Sequence, residues 1–309
     1  MILCCGESLI DMIPEETIKN TNGFVPYPGG AIFNTAIGIG RLECGVGLMS
    51  GISTDIFGQQ LMAELSASNV DTSNVLLSDR PTTLAFVQLT DGQASYLFYD
   101  ENSAGRMISV EDMPHQLDAV KAFLFGGISL HCNPGAEAYV RFGETHAHNS
   151  VVMLDPNIRP SFISNETLFR EHIERMLRLA DIVKVSDEDL NWLFPEPETT
   201  ETKIAKIQKL GPVVVILTCG GSGVKAWKPE RNPVFVDSLK VDVVDTVGAG
   251  DSFNAGFLTS LAEAGLLNKA AIKVISESNI VEAVNFGVRT AAITVGRVGP
   301  NPPWRNELD

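Results

Sequence analysis

Residues 243–256, with the sequence VVDTVGAGDSFNAG, hold the residue types best suited to chemistry in this chain. A strand-like run leads to Asp245, and the glycine turn 248–250 opens a helix that is predicted to start near Asp251. Glycines at a helix start let unpaired backbone N–H groups point at one spot, where the helix dipole adds partial positive charge. The stretch therefore predicts an anion hole. Asp251 beside it is either a cap of the first helical turn or a general base next to a phosphate group.

Other common motifs for nucleotide, metal or nucleophilic chemistry are missing. The chain has no Gly-Lys dipeptide and hence no Walker A loop, and it has neither HExxH nor GxSxG. The turn 248–250 lacks the third glycine of a dinucleotide fingerprint, because Phe253 occupies that position. The five histidines show no spacing typical of a metal site. The predicted anion hole is therefore the strongest local signal.

Further polar residues follow the ends of predicted strands. Glu7 and Asp11 come after the first strand, and the run DPNIR at 155–159 follows a later one. In a parallel sheet such positions face the ligand crevice. A second glycine pair, at 29–30, precedes a helix whose first turn contains Asn34. Asn34 either caps that helix or hydrogen-bonds a hydroxylated ligand, and together these residues predict one edge of a binding site.

The elements that must position these residues alternate between short apolar strands and amphipathic helices. Strands are predicted at 2–5, 46–51, 122–125, 151–155, 182–185 and 213–218, and helices at 57–68, 135–149, 165–179 and 201–209. The apolar run at 213–217 is typical of a strand that is buried on both faces. The alternation predicts an α/β protein with a mostly parallel sheet between helices. The length fits one large domain or two smaller ones, and because no obvious interdomain linker is present we predict a single domain over residues 1–309.

Two stretches, at about 12–28 and 83–106, break this alternation. Strand-like runs at 83–89 and 94–99 flank Asp91-Gly92, which is a strong hairpin signal. We therefore expect a small β-sheet, or lid, that stands off the main core. Its open strand edges could pair with a second copy and form a homodimer. After about residue 249 the chain is predicted to be mainly helical.

The overall charge limits the classes of partner. Acidic residues number 38 and basic residues 23 among 309, so the formal net charge is −15. Such a chain is not expected to bind nucleic acid or anionic membranes, because both need a basic surface. No apolar run approaches a membrane span or a signal peptide, and the five cysteines form no CxxC pair, which predicts reduced thiols in the cytoplasm. An anionic substrate would need a local positive site.

Taken in this order, the segments resemble the ribokinase-like (PfkB) family of carbohydrate kinases over nearly the whole chain. The first family signature matches 29–34, the G-x-x-x-D-x-F-G block matches 51–58, the T-x-G-x-x-G turn matches 218–223 and the second signature matches 245–253. The ending at 297–304 is similar to that of bacterial fructokinases, with Pro300 replacing Ala. The resemblance implies a three-layer ribokinase-like fold with a β lid. It also implies an ATP- and Mg²⁺-dependent sugar kinase, with the 6-hydroxyl of D-fructose as the leading acceptor.

The resemblance assigns roles to the matching positions. It implies that Asp251 is the catalytic base, and that catalysis also involves Gly248, Ala249, Gly250 and Arg159. It implies sugar binding by Asp11, Gly30, Asn34, Phe98 and Tyr99, and nucleotide binding by Lys184, Thr218, Gly220, Gly223 and Asn285. It implies Mg²⁺ near Asp189, and a K⁺ site with backbone oxygens from Asp245, Val247, Thr294, Gly299 and Pro303. The family's N-x-x-E pattern, which organises Mg²⁺, is replaced here by Ser186 and Asp189.

Other functions remain open from the sequence. Within the family, the DPNIR run also suits a sugar acid such as 2-keto-3-deoxygluconate, for which Arg106 is the only candidate lid cation near the substrate carboxylate. A nucleoside kinase would need a large aromatic base pocket. Outside the enzymes, a sugar or nucleotide sensor on the same fold would have no chemical need for Asp251 beside an intact glycine turn.

Overall fold

The centre of the molecule is a large β-sheet, described here from a computed structural model that covers residues 1–18, 21–90, 93–115, 117 and 119–308. The strands within these residues, in chain order, are β1 (Ile2–Cys5), β2 (Leu9–Glu16), β3 (Asn22–Gly29), β4 (Val46–Met49), β5 (Gly51–Ser53), β6 (Leu76–Ser78), β7 (Leu84–Thr90), β8 (Gln93–Tyr99), β9 (Ala122–Gly126), β10 (Val151–Asp155), β11 (Ile182–Ser186), β12 (Val214–Thr218), β13 (Val224–Trp227) and β14 (Val234–Val236). The large sheet has the order β14-β13-β12-β11-β10-β9-β1-β4. Its strands from β12 to β4 are all parallel, and β13 and β14 are added antiparallel at one edge.

Both faces of this sheet are buried, as the apolar strand sequences predict. Ile2 and Cys4 of β1 belong to the core on one face, whereas Leu3 and Cys5 belong to the core on the other. Alternate side chains of a strand point to opposite faces, so a strand that lies between two cores must be apolar throughout. The predicted three-layer α/β architecture is confirmed.

Helices cover the two faces, and most of them begin at side-chain caps. They are α1 (Ala31–Arg41), α2 (Ile56–Ala67), α3 (Gly135–His146), α4 (Glu166–Leu179), α5 (Asp187–Leu193), α6 (Thr200–Gln208), α7 (Ala249–Glu263), α8 (Lys269–Lys273) and α9 (Glu277–Val295). Asp55, Asn165 and Thr199 accept N–H groups at the starts of α2, α4 and α6. These helices begin within one residue of their predicted starts. The predicted helix at 135–149 ends earlier, at His146. Among the described residues, none of the helices is long and apolar enough to span a bilayer.

A separate sheet with the order β3-β2-β7-β8 forms the predicted lid and is called the lid sheet below. It extends from Leu9 to Gly29 and from Leu84 to Tyr99, so residues 100–106, predicted as part of the lid, instead form turns. β7 and β8 pair antiparallel up to Thr90 and Gln93, which confirms the hairpin; the predicted turn residues Asp91 and Gly92 lie outside the described residues. The predicted strand at 46–51 is split, because β5 leaves the main sheet to pair with β6.

Candidate active site

A pocket of about 370 Å³ opens where the carboxyl ends of the parallel strands meet the starts of α1 and α7 under the lid sheet. The residues predicted from the sequence that line it are Asp11, Gly30, Asn34, Phe98, Arg159, Lys184, Val247, Gly248, Gly250 and Asp251. Glu7 and Asn157, from the predicted strand-end segments, also line it, and the other polar residues of the wall are Tyr96, Glu188 and Thr246. The pocket therefore brings together residues from both glycine clusters and from the strand ends, as the predicted crevice required.

The start of α7 forms one wall of this pocket. Gly248 is the N-cap in a left-handed conformation, with φ 77° and ψ 0°. A Cβ atom on Gly248 would lie 2.7 Å from the Cβ of Pro300, so glycine is needed both for its backbone angles and for the close packing. The first N–H groups of a helix have no intrahelical acceptor. The N–H of Ala249, predicted to line the anion hole, donates to Thr246 O at 3.3 Å, which leaves the N–H groups of Gly250 and Asp251 as the main donors.

Asp251 is buried beside these donors, and only 7% of its surface is exposed. Its Oδ2 accepts a hydrogen bond of 2.9 Å from Nδ2 of Asn34, so Asn34 contacts the proposed base and does not cap α1. Burial, reinforced by the negative charge of Asp155, raises the pKa of Asp251 to about 7, although Asn34, Lys184 and Arg159 pull it down. A carboxylate with a pKa near neutrality is suited to general acid–base chemistry.

Lys184 lies beneath the anion hole in a buried ion pair. Its Nζ donates to Asp155 Oδ2 at 2.9 Å, and Nδ2 of Asn254 donates to the same oxygen at 2.7 Å. Burial alone would lower the pKa of Lys184, but Asp155 and Asp189 outweigh it and raise the pKa, so the lysine stays charged. A Cβ on Gly250 would lie only 3.0 Å from Nζ, so this cation adjoins the start of α7. The sequence analysis did not assign Asn254 to the site, although its position one helical turn after Asp251 places it on the same face of α7.

Asp11 and Glu7 line the opposite wall. Burial, together with the charge of Glu7, raises the pKa of Asp11 to about 7, against the opposing effect of Arg159. Glu7 Oε1 accepts the N–H of Ala31 at 2.9 Å, and its Oε2 accepts the N–H of Ser129 at 3.3 Å. Glu7 thus replaces the missing side-chain cap of α1, which begins after Gly30. It holds the predicted sugar-binding residues Gly30 and Asn34 in place.

Tyr99 does not line the pocket, so its predicted role in sugar binding is wrong. Tyr96 and Phe98 share the face of β8 that lines the pocket, whereas Tyr99 lies on the other face. Tyr99 is 55% exposed, and its ring contacts that of Phe86 edge-on, with 5.5 Å between the ring centroids. Because side chains alternate along a strand, the tyrosine that shares the pocket face with Phe98 is Tyr96 and not Tyr99. The alternation was readable in the sequence, but which face meets the pocket was not.

Of the predicted nucleotide residues, Lys184 lines this pocket, whereas Thr218, Gly220, Gly223 and Asn285 lie outside it. Thr218 ends β12, next to the strand that carries Lys184, and Gly220 and Gly223 follow in the left-handed region at φ 49° and 96°. A Cβ on Gly223 would lie 2.5 Å from Val236 O, which explains the need for glycine there. Asn285 is exposed on α9 and donates within its own helix to Val281 O at 2.8 Å. Its contact with a nucleotide base stays a prediction.

Asp189 is used as a helix cap, which argues against its predicted contact with Mg²⁺. Its Oδ1 accepts the N–H of Ile158 at 2.8 Å, and its Oδ2 accepts the N–H of Ser186 at 3.1 Å. Ser186 caps the same turn in return, by accepting the N–H of Asp189 at 3.0 Å. Within the described residues no three His, Cys, Asp or Glu side chains are grouped as a metal site.

The residues predicted to surround K⁺ are partly assembled behind the start of α7. Oδ1 of Asp245 accepts the N–H of Val247 at 3.0 Å, and its Oδ2 accepts the N–H of Gly299 at 2.9 Å. The hydroxyl of Thr294 donates to Ser252 Oγ on α7 at 2.7 Å. Pro303 is buried, but no hydrogen bond connects it to the others in the described structure. A K⁺ ion at this place stays a prediction.

Comparison with known proteins agrees with this geometry. The model of the pfkB family carbohydrate kinases matches residues 1–307. The chain is 46% identical over 277 residues to a fructokinase of Rhizobium leguminosarum bv. trifolii, and the aligned region covers 90% of this chain and 84% of that protein. The crystal structure of a fructokinase from Xylella fastidiosa with bound ATP is similar at a TM-score of 0.88 and 28% identity, over 99% of this chain and 97% of the other. An aminoimidazole riboside kinase from Salmonella enterica is similar at a TM-score of 0.83 and 25% identity, over 99% and 97% of the two chains.

Proposed function

The chain belongs to the pfkB family of carbohydrate kinases, and we propose that it transfers the γ-phosphoryl group of ATP to the 6-hydroxyl of D-fructose. The family predicted from the sequence motifs is thereby confirmed. The rhizobial fructokinase supports the choice of substrate, because it is 46% identical over most of both chains. The observation that carries the proposal is the Asp251 carboxylate, which is buried in the pocket at the start of a glycine-capped helix.

Each residue of the pocket has a task in such a transfer. Asp251 accepts the proton of the sugar hydroxyl, and it suffices as a weak base if the proton moves late, once the oxygen has begun to bond to phosphorus. The N–H groups of Gly250 and Asp251 stabilise charge on the transferred phosphoryl group, with Lys184 and Arg159 as the nearby cations. Asp11 can accept two hydrogen bonds from neighbouring sugar hydroxyls. Catalysis then rests mainly on positioning and charge neutralisation.

Magnesium is expected to arrive with the nucleotide. Mg²⁺ is usually held by one or two carboxylates together with substrate phosphates. The donors present fit this requirement: Oδ1 of Asp155 is buried and has no hydrogen-bond partner within the described structure, and Glu188 lines the pocket. We therefore assign Asp155 and Glu188 to the vicinity of the metal in preference to Asp189. When bound, the ion would neutralise charge on the phosphate groups.

The position of Arg106 argues against a sugar acid as the substrate. Its Nη1 lies 4.0 Å from Oδ2 of Asp100, and its Nε contacts Asn133 O at 3.5 Å. Arg106 and Asp100 border a separate small cavity, which Glu7 also lines, and Arg106 is not among the residues that line the sugar pocket. A substrate carboxylate would have Arg159 as its nearest arginine, and Arg159 is needed for the phosphoryl group.

A substrate screen tests the proposed function. Purified protein with Mg-ATP is assayed with fructose, ribose, 2-keto-3-deoxygluconate and adenosine, with ADP release as the measurement and phosphorus NMR to locate the phosphate. We expect fructose to give the highest kcat/KM and fructose 6-phosphate as the product. No phosphorylation of fructose at millimolar concentration would overturn the substrate. Tight sugar or ATP binding without turnover on any substrate would favour the sensor.

The activity should fall as the pH drops below neutrality. Asp251 must be ionised to accept a proton, and its raised pKa is about 7, as is that of Asp11. We therefore expect log(kcat/KM) for fructose to fall with a slope between about one and two below pH 7 and to level off above it. Asp11→Asn should reduce the slope to about one while Asp251 still titrates. A profile that stays flat down to about pH 5 would contradict the role of Asp251.

The outer face of the lid sheet supports a homodimer. Phe24 contacts Phe86 edge-on at 5.0 Å between ring centroids, Phe86 contacts Tyr99, and Leu97 beside them is 58% exposed. An aromatic surface of this kind is unusual on a monomer that faces water. We propose that a second copy covers it. Light scattering should give twice the chain mass for the wild type and a monomer for Leu97→Asp; a monomeric wild type would refute the dimer.

The cysteines are consistent with a cytoplasmic protein. All five thiols are free, and Cys4 and Cys5, which are adjacent in β1, are buried on opposite faces of the main sheet. Disulfides are rare in reducing compartments. We propose the cytoplasm as the location, which fractionation of the host cells would test directly.

A further inference from the structure

An aromatic contact joins the lid sheet to the main body across the mouth of the pocket. Phe98, which lines the pocket from β8, packs on Phe162 of the main body, with 4.6 Å between the ring centroids and 53° between the ring planes. Tyr96 stacks beside Phe98 at 5.9 Å. Phe162 belongs to a single helical turn, Pro160–Phe162, that follows Arg159. The contact thus lies between a residue that touches the pocket and a turn adjoining a predicted catalytic residue.

On the side of the main body, Phe162 packs against a buried aromatic cluster. Its ring lies 5.6 Å from that of His131, and His131 stacks on Phe169 of α4 at 4.2 Å between centroids. His131 is buried, and burial lowers its pKa to about 4, so the imidazole is neutral at physiological pH and serves as part of the packing. Aromatic pairs at these separations attract one another beyond the area that they bury. Phe162 is therefore a fixed platform on which the lid residue Phe98 rests.

The same short turn sets the position of Arg159. The N–H of Phe162 donates to Arg159 O at 2.9 Å, so the two residues close one turn of backbone. The charge of Arg159 acts on both walls of the pocket. It partly offsets the rise in pKa that burial causes at Asp11 on the lid sheet and at Asp251 on α7. A displacement of Phe162 would therefore move this cation relative to the sugar site and to the base.

We propose that Phe162 is a positioning residue, which supports the lid sheet over the sugar through its contact with Phe98 and fixes the position of Arg159 relative to the reacting groups. The proposal rests on the function proposed above. Because a seated lid excludes water, loss of the contact should weaken sugar binding and let water compete with the sugar for the phosphoryl group. ATP binding should change little, since the predicted nucleotide residues Thr218, Gly220 and Gly223 are outside the pocket and Lys184 is held by its ion pair with Asp155.

The test compares Phe162→Ala with the wild type in steady-state kinetics on fructose. We expect the KM for fructose to rise about tenfold, the KM for ATP to stay within about twofold, and ATP hydrolysis per sugar phosphorylated to rise at least about threefold. Phe162→Leu should restore most of the sugar affinity, because it keeps the apolar contact. Phe194→Ala is the matched control: this half-buried phenylalanine lies after α5 beside Lys206, is not among the residues lining the pocket, and should leave all of these values unchanged.

A double-mutant cycle with Phe98→Ala separates this role from general destabilisation. If the two rings act as one contact, the double variant should have a KM for fructose within about twofold of the worse single variant. Additive effects, or an unchanged KM and unchanged hydrolysis in Phe162→Ala, would overturn the proposal. If Phe162→Ala does not fold, Phe162→Leu takes its place in the cycle. A wild type that phosphorylates no sugar would refute the proposed function instead, so the two failures are distinguishable.

Discussion

Replacing Asp251 with Asn is expected to lower kcat for fructose phosphorylation by a factor of about 10²–10⁴ while ATP binding stays nearly intact. The amide of Asn can still contact Asn34, and it leaves the backbone N–H groups of α7 in place. It cannot accept the proton of the sugar hydroxyl. Steady-state kinetics and calorimetric titration of ATP would measure the two effects separately.

The same variant should be more stable than the wild type at neutral and alkaline pH. Because the pKa of Asp251 is raised to about 7 in the folded state, the folded protein binds its proton more tightly than the unfolded chain does. That contribution to stability is fully present below the ordinary pKa of Asp and is lost as the pH rises through about 7. Asp251→Asn carries no such charge, so its Tm should exceed that of the wild type at about pH 8, and the difference should vanish near pH 4.

A control distinguishes a base from a helix cap. Glu277 is an acidic residue in the first turn of α9, outside the pocket, and Glu277→Gln should leave kcat unchanged. Undiminished turnover in Asp251→Asn would refute its role as the base. Equal loss of ATP binding and of turnover in that variant would show that the change had damaged the anion hole instead.

Replacing Gly248 with Ala is expected to reduce kcat/KM by a factor of about 10²–10³. The φ of 77° is strained for alanine, and the new Cβ would lie 2.7 Å from Pro300, so the start of α7 must shift. A shift of this kind moves the N–H groups of Gly250 and Asp251 away from the transferred phosphoryl group. Steady-state kinetics on fructose would measure the loss of kcat/KM, and the Tm would show how much stability is lost with it.

The chain offers a matched control at the other end of the same helix. Gly265 also has a left-handed φ, of 69°, but a Cβ there would meet no atom within 4 Å among the described residues. Gly265→Ala should therefore lower the free energy of unfolding by about 1–2 kcal/mol through backbone strain alone, with a corresponding fall in Tm, and leave kcat/KM unchanged. If both alanine variants lost activity equally, the effect of Gly248→Ala would reflect lost stability and not the geometry of the anion hole.

Local sequence predicted most of the elements, because their signals lie within a few residues. The apolar runs of the parallel strands, the glycine turn 248–250 and the capped starts of α4 and α6 all appear where they were expected. The errors occur where partners are remote. The strand predicted at 46–51 divides because β6, some 25 residues later, competes for pairing with residues 51–53. Glu7 was recognised as a polar strand end, but not as the cap of α1, 24 residues further along.

For the site, the sequence by itself determined which chemical groups exist and how the start of α7 is built, since helix caps and glycine turns depend on neighbouring residues. The tertiary structure alone decided which of those groups meet. Asn34 and Asp251, 217 residues apart, come within 2.9 Å, and burial at that contact raises the pKa of Asp251 to about 7. It also decided that Tyr96, and not Tyr99, faces the pocket. Register and burial arise from long-range packing, and no local pattern contains them.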